Sequence, residues 1–297
     1  MILGITWRPA TDVLGFRVRL AEINYTRASL LSKVAGLFDP LGAAAPMTVK
    51  AKIRLRHLGV RGLQWNDAVT GPDREWWESY FESMTQLKAV EFARCLFPGE
   101  DQIIRTELDM FVDASEEACA AVCFIRNVYR DHRVIVRFIK AVTKLAPLKT
   151  VSVCKLKLNA GLLGARLARF VETSFTRRMA ARRFWTDSST VRNWVRALSG
   201  DYQVYVSNRI GEIQSLTDPS EWRFVPGVLN PEDAATRSQV DDRAIPTSWL
   251  NGPAFLYQEE VSDFPFFLNR IDEDDDGIDA DDMIELNTVH LSMYRSN

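Results

Sequence analysis

A mixed α/β fold, in which a small helical unit leads into a domain built on a five-stranded mixed sheet, is predicted by three features of these 297 residues. Apolar residues recur at helical spacing between residues 26 and 90, the periodicity changes to strands past Pro98-Gly99, and three strands are then followed by helix, strand, helix and strand. Leu3 to Val18 reads as two short strands about a turn at Pro9 to Asp12, anchored by Trp7 and Phe16. Ser29 can cap a helix that carries Leu30, Leu31, Val34 and Leu37 and stops at Asp39-Pro40-Leu41-Gly42. A second helix is expected from Pro46 to Leu58, and a third, amphipathic and aromatic, from Glu75 to Met84. Glu107 to Val112, Cys119 to Tyr129 and Arg133 to Val142 read as an antiparallel meander. A helix over Lys155 to Glu172 follows, then a strand at Phe184-Trp185, a helix from Ser189 to Leu198, an apolar segment near Tyr205 to Ile213 and a strand at Trp222 to Val225.

Composition places the chain among globular proteins, 46% hydrophobic and 26% charged, with enough residues for one large or two moderate cores. No apolar run reaches the roughly 18 residues of a membrane helix, and the first residues lack the pattern of a signal peptide. An intracellular protein without a membrane partner is therefore expected, with nothing to choose between cytoplasm and nucleus. Cys95, Cys119, Cys123 and Cys154 form no Cys-x-x-Cys pair, and the last three, in apolar or strand-like surroundings, read as buried thiols. His57, His132 and His290 are too scattered for a zinc site or a histidine-based nucleophile, which leaves carboxylates to carry any chemistry.

The net charge of −2 hides an asymmetry. Residues 258–297 hold 12 acids and 2 bases, leaving 27 acids and 35 bases before them. A basic body suits a polyanionic partner such as nucleic acid. Its densest cluster is Arg166, Arg169, Arg177, Arg178, Arg182 and Arg183, opposed in that stretch only by Glu172. The same pattern is compatible with a solvated helix face. Asp272-Glu273-Asp274-Asp275-Asp276-Gly277 imitates the start of a calcium loop, but its twelfth position is Met283, so the tail is expected to be disordered.

Three acids stand where strands end. Asp113 closes the run Met-Phe-Val-Asp, Asp187 closes Phe-Trp-Thr-Asp, and Asp233 follows the turn at Pro226-Gly227. Side chains at the ends of different strands can converge in one cleft, although each aspartate can also serve locally as a turn residue or cap. No paired aspartates of a polymerase palm are recognisable, Gln239-Val240-Asp241-Asp242 lacking the aromatic residue. No protease triplet or glycine-rich phosphate loop is present either.

The runs 28–42 (Ala-Ser-Leu-Leu-Ser-Lys-Val-Ala-Gly-Leu-Phe-Asp-Pro-Leu-Gly), 144–150 (Lys-Leu-Ala-Pro-Leu-Lys-Thr), 184–191 (Phe-Trp-Thr-Asp-Ser-Ser-Thr-Val) and 222–237, from Trp-Arg-Phe-Val-Pro-Gly to Ala-Ala-Thr-Arg, resemble the polyprotein of BEL/Pao-type long-terminal-repeat retrotransposons. The resemblance covers residues 1 to about 255. It implies the end of a reverse-transcriptase palm over 1–25, a helical thumb or connection over 26–100, an RNase H-like domain over 105–240 and a following segment with the acidic tail over 241–297. Its Asp-Glu-Asp-Asp pattern matches Asp113, Asp187 and Asp233 as first, third and fourth members. The second departs: where the family has Arg-Leu-Glu-Leu, this chain has Lys155-Leu156-Lys157-Leu158.

The resemblance implies Mg²⁺ or Mn²⁺ as cofactor, held by Asp113, Asp187 and Asp233, and an RNA/DNA hybrid as substrate, with a reverse-transcriptase palm in another chain as a protein partner. Such a site activates water and stabilises the leaving oxygen with two hard cations held by oxygen ligands. Lys157 removes a ligand and adds a like charge to the metals, worth about 4 kcal/mol at about 4 Å and an effective dielectric near 20. Alternatively, Lys157 can snorkel from the rim of a close helix-on-sheet contact made by Gly161, Gly164 and Ala168. Three readings follow: a hybrid-binding module with impaired hydrolysis, an active ribonuclease H that recruits Glu116, Glu117 or water, and a non-catalytic interaction protein or relic. The first is the expectation.

Overall fold

The change of periodicity at Pro98-Gly99 becomes a change from helices to a sheet. A computed structural model describes residues 5–18, 22–197, 202–236 and 245–261. The opening hairpin forms as expected, β1 (Ile5–Arg8) against β2 (Val13–Phe16), and gains a third antiparallel strand, β3 (Glu91–Ala93). The helical unit consists of α1 (Arg27–Ala35), α2 (Ala45–Val60) and α3 (Gly71–Met84). Thr26, not Ser29, is the N-cap of α1; Ser29 is its reciprocal partner in a capping box.

The main sheet runs in the order β6-β5-β4-β7-β8. Strands β4 (Ile103–Ala114), β5 (Ala118–Tyr129) and β6 (Val134–Leu145) form the antiparallel meander. β7 (Ala181–Thr186) lies parallel to β4, and β8 (Trp222–Phe224) parallel to β7. Between them run α4 (Val153–Ser174), α5 (Ser189–Arg196) and α6 (Val204–Leu216), the last of which the sequence showed only as an apolar segment.

Each sheet face has its own core. Leu108, Met110, Val112, Cys123 and Phe184 face α4, α5 and α6. Gly164 brings α4 so close that a Cβ there would stand 2.4 Å from Val112 Cγ1. Phe111, Phe124, Phe138 and Trp185 face the other way and share a core with Leu30, Met47, Trp77 and Phe81 of the helical unit. The join is also made by backbone: Ala141 donates to the Leu41 carbonyl at 2.7 Å. Gly42 adopts φ +76° and passes so close to Ala141 that a Cβ would stand 2.2 Å from its carbonyl oxygen. The helical unit and the sheet domain therefore share a core.

The segment after the sheet belongs to this core as well. α7 (Thr247–Asn251) buries Trp249, whose indole N–H donates to the Ala43 carbonyl at 3.1 Å. Leu256 is fully buried on the same face. Fully buried Arg126 donates to the Leu256 carbonyl at 2.7 Å and the Glu259 carbonyl at 2.6 Å, and also to that of Gln258. Its charge meets Glu107 at 2.6 Å. Residues 262–297, including the calcium-loop imitation and most of the acidic tail, lie outside the described residues, as does Gln239-Val240-Asp241-Asp242.

Two substitutions test the packing. Gly164→Ala should cost about 1–3 kcal/mol by overpacking against Val112, read from the urea midpoint, and Val112→Ala should recover part of it. Trp249→Ala should cost about 3–5 kcal/mol in one cooperative transition; a near-neutral result would mean that α7 is not part of the core.

Candidate active site

The parallel pairing of β4 with β7 sets the site. Val112 stands opposite Thr186 in register, so the next residues, Asp113 and Asp187, leave the ends of neighbouring strands side by side. Asp113 is buried and Asp187 half-buried, with 4% and 19% of their side chains exposed. A third segment closes over them. Asn230 anchors it by donating to the Val112 carbonyl at 3.2 Å and accepting from the Glu232 amide. The single-turn helix Pro231–Ala235 follows, and Thr236 donates its hydroxyl to Asp113 Oδ2 at 3.2 Å. Asn230, not Asp233, provides the side-chain cap of this turn. Asp233 is half-buried and close enough for its charge to act on Asp113.

Lys157, in the second turn of α4, points into this group. Its Nζ donates to Asp187 Oδ2 at 3.0 Å and lies 3.7 Å from Asp113 Oδ1. The snorkelling alternative fails: the glycines make the close contact, and the lysine turns inward to the carboxylates. Burial opposes its charge, but Asp187 and Asp113 outweigh burial and raise its pKa. Asp113 moves upward too, to about 7. Desolvation is the largest cause and the Asp187 charge the next, both resisted by Lys157.

A fourth carboxylate was missed. Glu232 is fully buried, both its oxygens lack a hydrogen-bond partner, and burial together with the Asp113 charge pushes its pKa well above the ordinary range. Its only signal in the sequence was its place beside Asp233 in Asn-Pro-Glu-Asp. The alternative ligands are elsewhere: Glu117 faces His57 at 3.8 Å, Glu116 is exposed, and Glu172 pairs with Arg182 at 2.8 Å.

This donor set does not fit a pair of divalent cations. The ammonium lies between Asp113 and Asp187, the residues that would hold such ions, and among the described residues no group of three or more His, Cys, Asp or Glu side chains is arranged to hold a metal. Asp187 Oδ1 and Asp113 Oδ1 remain buried without a hydrogen bond, so the acids are only partly satisfied by Lys157.

The arginine cluster separates in space. Arg183 is buried between Glu107 and Asp109, and Asp109 also accepts from the Trp185 indole at 2.9 Å. Arg182 pairs with Glu172 and Glu221, each at 2.8 Å, and Arg166 with Glu212 at 2.6 Å. Arg177 lies 3.4 Å from Glu100 and over the Phe97 ring. Arg169 and Arg178 are exposed and make no ion pair among the described residues. Much of the charge density that suggests a polyanion face is neutralised by local acids.

A meander of three antiparallel strands continued by two parallel ones, a long helix across one face and acids at adjoining strand ends define an RNase H-like domain. Residues 26–188 match the family described as the Pao retrotransposon-like RNaseH-like domain, more than half of the sequence, and the chain belongs to that family. The match begins at the cap of α1 and so takes in the helical unit. No curated protein matches the chain. Among solved structures, the foamy viral protease-reverse transcriptase in complex with double-stranded DNA is 11% identical at a TM-score of 0.42, covering 76% of this chain and 37% of its own. The chain thus spans little more than a third of that protein. The N-terminal RNase H domain of rv2228c from Mycobacterium tuberculosis, solved as a fusion with maltose binding protein, is 13% identical at a TM-score of 0.27, covering 44% of this chain and 93% of its own. RNase H1 from the halophilic archaeon Halobacterium salinarum NRC-1 is 15% identical at 0.26, covering 46% and 98%. Likenesses this distant carry no argument about activity.

The raised Asp113 pKa gives a signed prediction. Between about 3.8 and 7 the folded state holds a proton that the unfolded chain has released, so this group's contribution to stability falls as pH rises through that window. Asp113→Asn lacks this loss and should gain on the wild-type chain by on the order of 2 kcal/mol from pH 4 to 7, measured by urea unfolding. Parallel pH profiles would refute the assignment.

Proposed function

We propose that this chain is a retroelement-derived, nucleic-acid-binding module for RNA/DNA hybrids, whose two-metal hydrolytic site is disabled by Lys157. The observation behind this reading is the ammonium lodged between Asp113 and Asp187. A lysine there supplies one positive charge and hydrogen-bond donors, where hydrolysis requires cations with open positions for water and the phosphate oxygen. Membership of the family and the basic balance of residues 1–257 support the nucleic-acid part. On this reading a reverse-transcriptase palm in another chain is the protein partner.

Glu232 favours a second reading, an active ribonuclease H that uses Mg²⁺ or Mn²⁺. It is a buried carboxylate beside Asp113 with neither oxygen engaged, and it would become a ligand if Lys157 moved out. Cleavage of a labelled RNA/DNA hybrid with Mg²⁺ or Mn²⁺ separates the two. The wild-type chain should not cut, while Lys157→Glu should cut or at least gain Mg²⁺-dependent thermal stability, the metal relieving the added repulsion. Cutting by the wild-type chain that disappears in both Asp113→Asn and Glu232→Gln would establish the second reading. Hybrid binding should weaken steeply with salt, because phosphate neutralisation releases counterions; flat salt dependence would remove the nucleic-acid assignment.

A further inference from the structure

A cavity of about 280 Å³ lies far in sequence from the aspartates, where the helical unit meets the end of edge strand β6. It is lined by Arg27 and Leu31 of α1, Lys52, Leu55 and Arg56 of α2, Trp65, and Leu145 of β6. Three cations and no acid line it, together with one aromatic and three aliphatic side chains. The spacing accounts for this: Arg27 and Leu31 are one turn apart on α1, and Lys52, Leu55 and Arg56 share one face of α2.

Two of the cations are fixed without being neutralised. Arg56 donates to the Ala146 carbonyl at 2.7 Å and the Glu117 carbonyl at 3.2 Å. The nearby Glu117 carboxylate is turned to His57. Arg27 donates to the Leu63 carbonyl, lies against Gly59, where a Cβ would stand 2.7 Å from its Nη2, and covers the Trp65 ring at 4.6 Å. Its buried Nε has no acceptor. Lys52 is exposed and makes no ion pair among the described residues. Trp65 and Leu31 leave 53% and 43% of their surface open. Arginines held by carbonyls keep their full positive charge, which an anion entering the cavity can still meet.

We infer that this cavity is a nucleotide-binding site, with the base against Trp65, Leu31 and Leu55 and the phosphate on Lys52 and Arg56. Its volume, at the low end for small-molecule sites, suits one nucleotide and not a duplex. Apolar wall plus cationic rim is the combination that recognises a planar base carrying a phosphate. The ligand is either a free nucleoside phosphate or one unit of a single strand. The site shares no residue with the Asp113 cluster and does not depend on the hybrid-binding reading.

The test uses the full chain and a fluorescein-labelled twelve-residue DNA single strand, with adenosine monophosphate and inorganic phosphate as competitors. Lys52→Glu and Trp65→Ala should each weaken strand binding at least fivefold without changing the thermal midpoint. Lys88→Gln, at an exposed cation that does not line the cavity, should leave binding unchanged. Competition by adenosine monophosphate at concentrations where phosphate has no effect would identify a free-nucleotide site, and failure of both to compete would identify a strand site. Affinity within twofold of wild type in both pocket variants would overturn the proposal, as would equal competition by phosphate, since no base contact would then be at work. Should Trp65→Ala lower the thermal midpoint, Trp65→Phe must restore both midpoint and affinity if the ring is the contact. Hybrid binding measured alongside keeps failure of this proposal distinct from failure of the proposed function.

Discussion

The parallel pairing of β4 with β7 is the constraint from which the site follows. It places two carboxylates at adjoining strand ends, one of them buried beneath a covering segment. Two buried anions side by side raise each other's free energy, and such a pair persists only with a cation between them or with a proton on one member. This protein uses both remedies: Lys157 approaches Asp187 closely and Asp113 less closely, and Asp113 retains its proton further up the pH scale. The lysine is thus both the reason the site can be stable without metal and the reason it is poorly suited to accept one.

A second set of charges shows the opposite arrangement. On the same face of β4, Glu107 and Asp109 meet Arg126, Arg105 and Arg183, and burial, which works to raise the Glu107 pKa, is outweighed by the guanidinium groups, which lower it. Acids surrounded by arginines are locked and have no capacity left for a ligand. Asp113 and Asp187, sharing one lysine, each keep a buried oxygen without a hydrogen bond, and Glu232 beside Asp113 keeps two. One strand therefore carries a fully paired charge network at its beginning and an incompletely satisfied acid at its end.

Much of this was legible in the sequence. The meander, the long helix, the glycine face of α4 and the acids at strand ends all follow from local periodicity and turn chemistry, and Lys157 could be picked out because a residue pattern assigned it a partner set. The role of Glu232 was not legible, because burial depends on the covering segment and adjacent acids in a turn ordinarily face water. The arginine cluster misled for a related reason. Density along the chain says nothing of the acids that Glu107, Asp109, Glu212 and Glu221 bring from elsewhere. The third strand of the small sheet was invisible as well, since three residues give no periodicity.

The contact between Trp249 and Ala43 joins residues 206 positions apart, and the carbonyls that satisfy Arg126 lie 130 or more positions away from it. One face of the sheet is thus sealed by the earliest helices and the latest segment together. A chain emerging in order exposes that face, with its buried guanidinium still unanswered, until both flaps are present. Closure entropy is spent late and non-local contacts form last, so the slow step of folding should be this final sealing, and the half-sealed sheet the species most prone to aggregate.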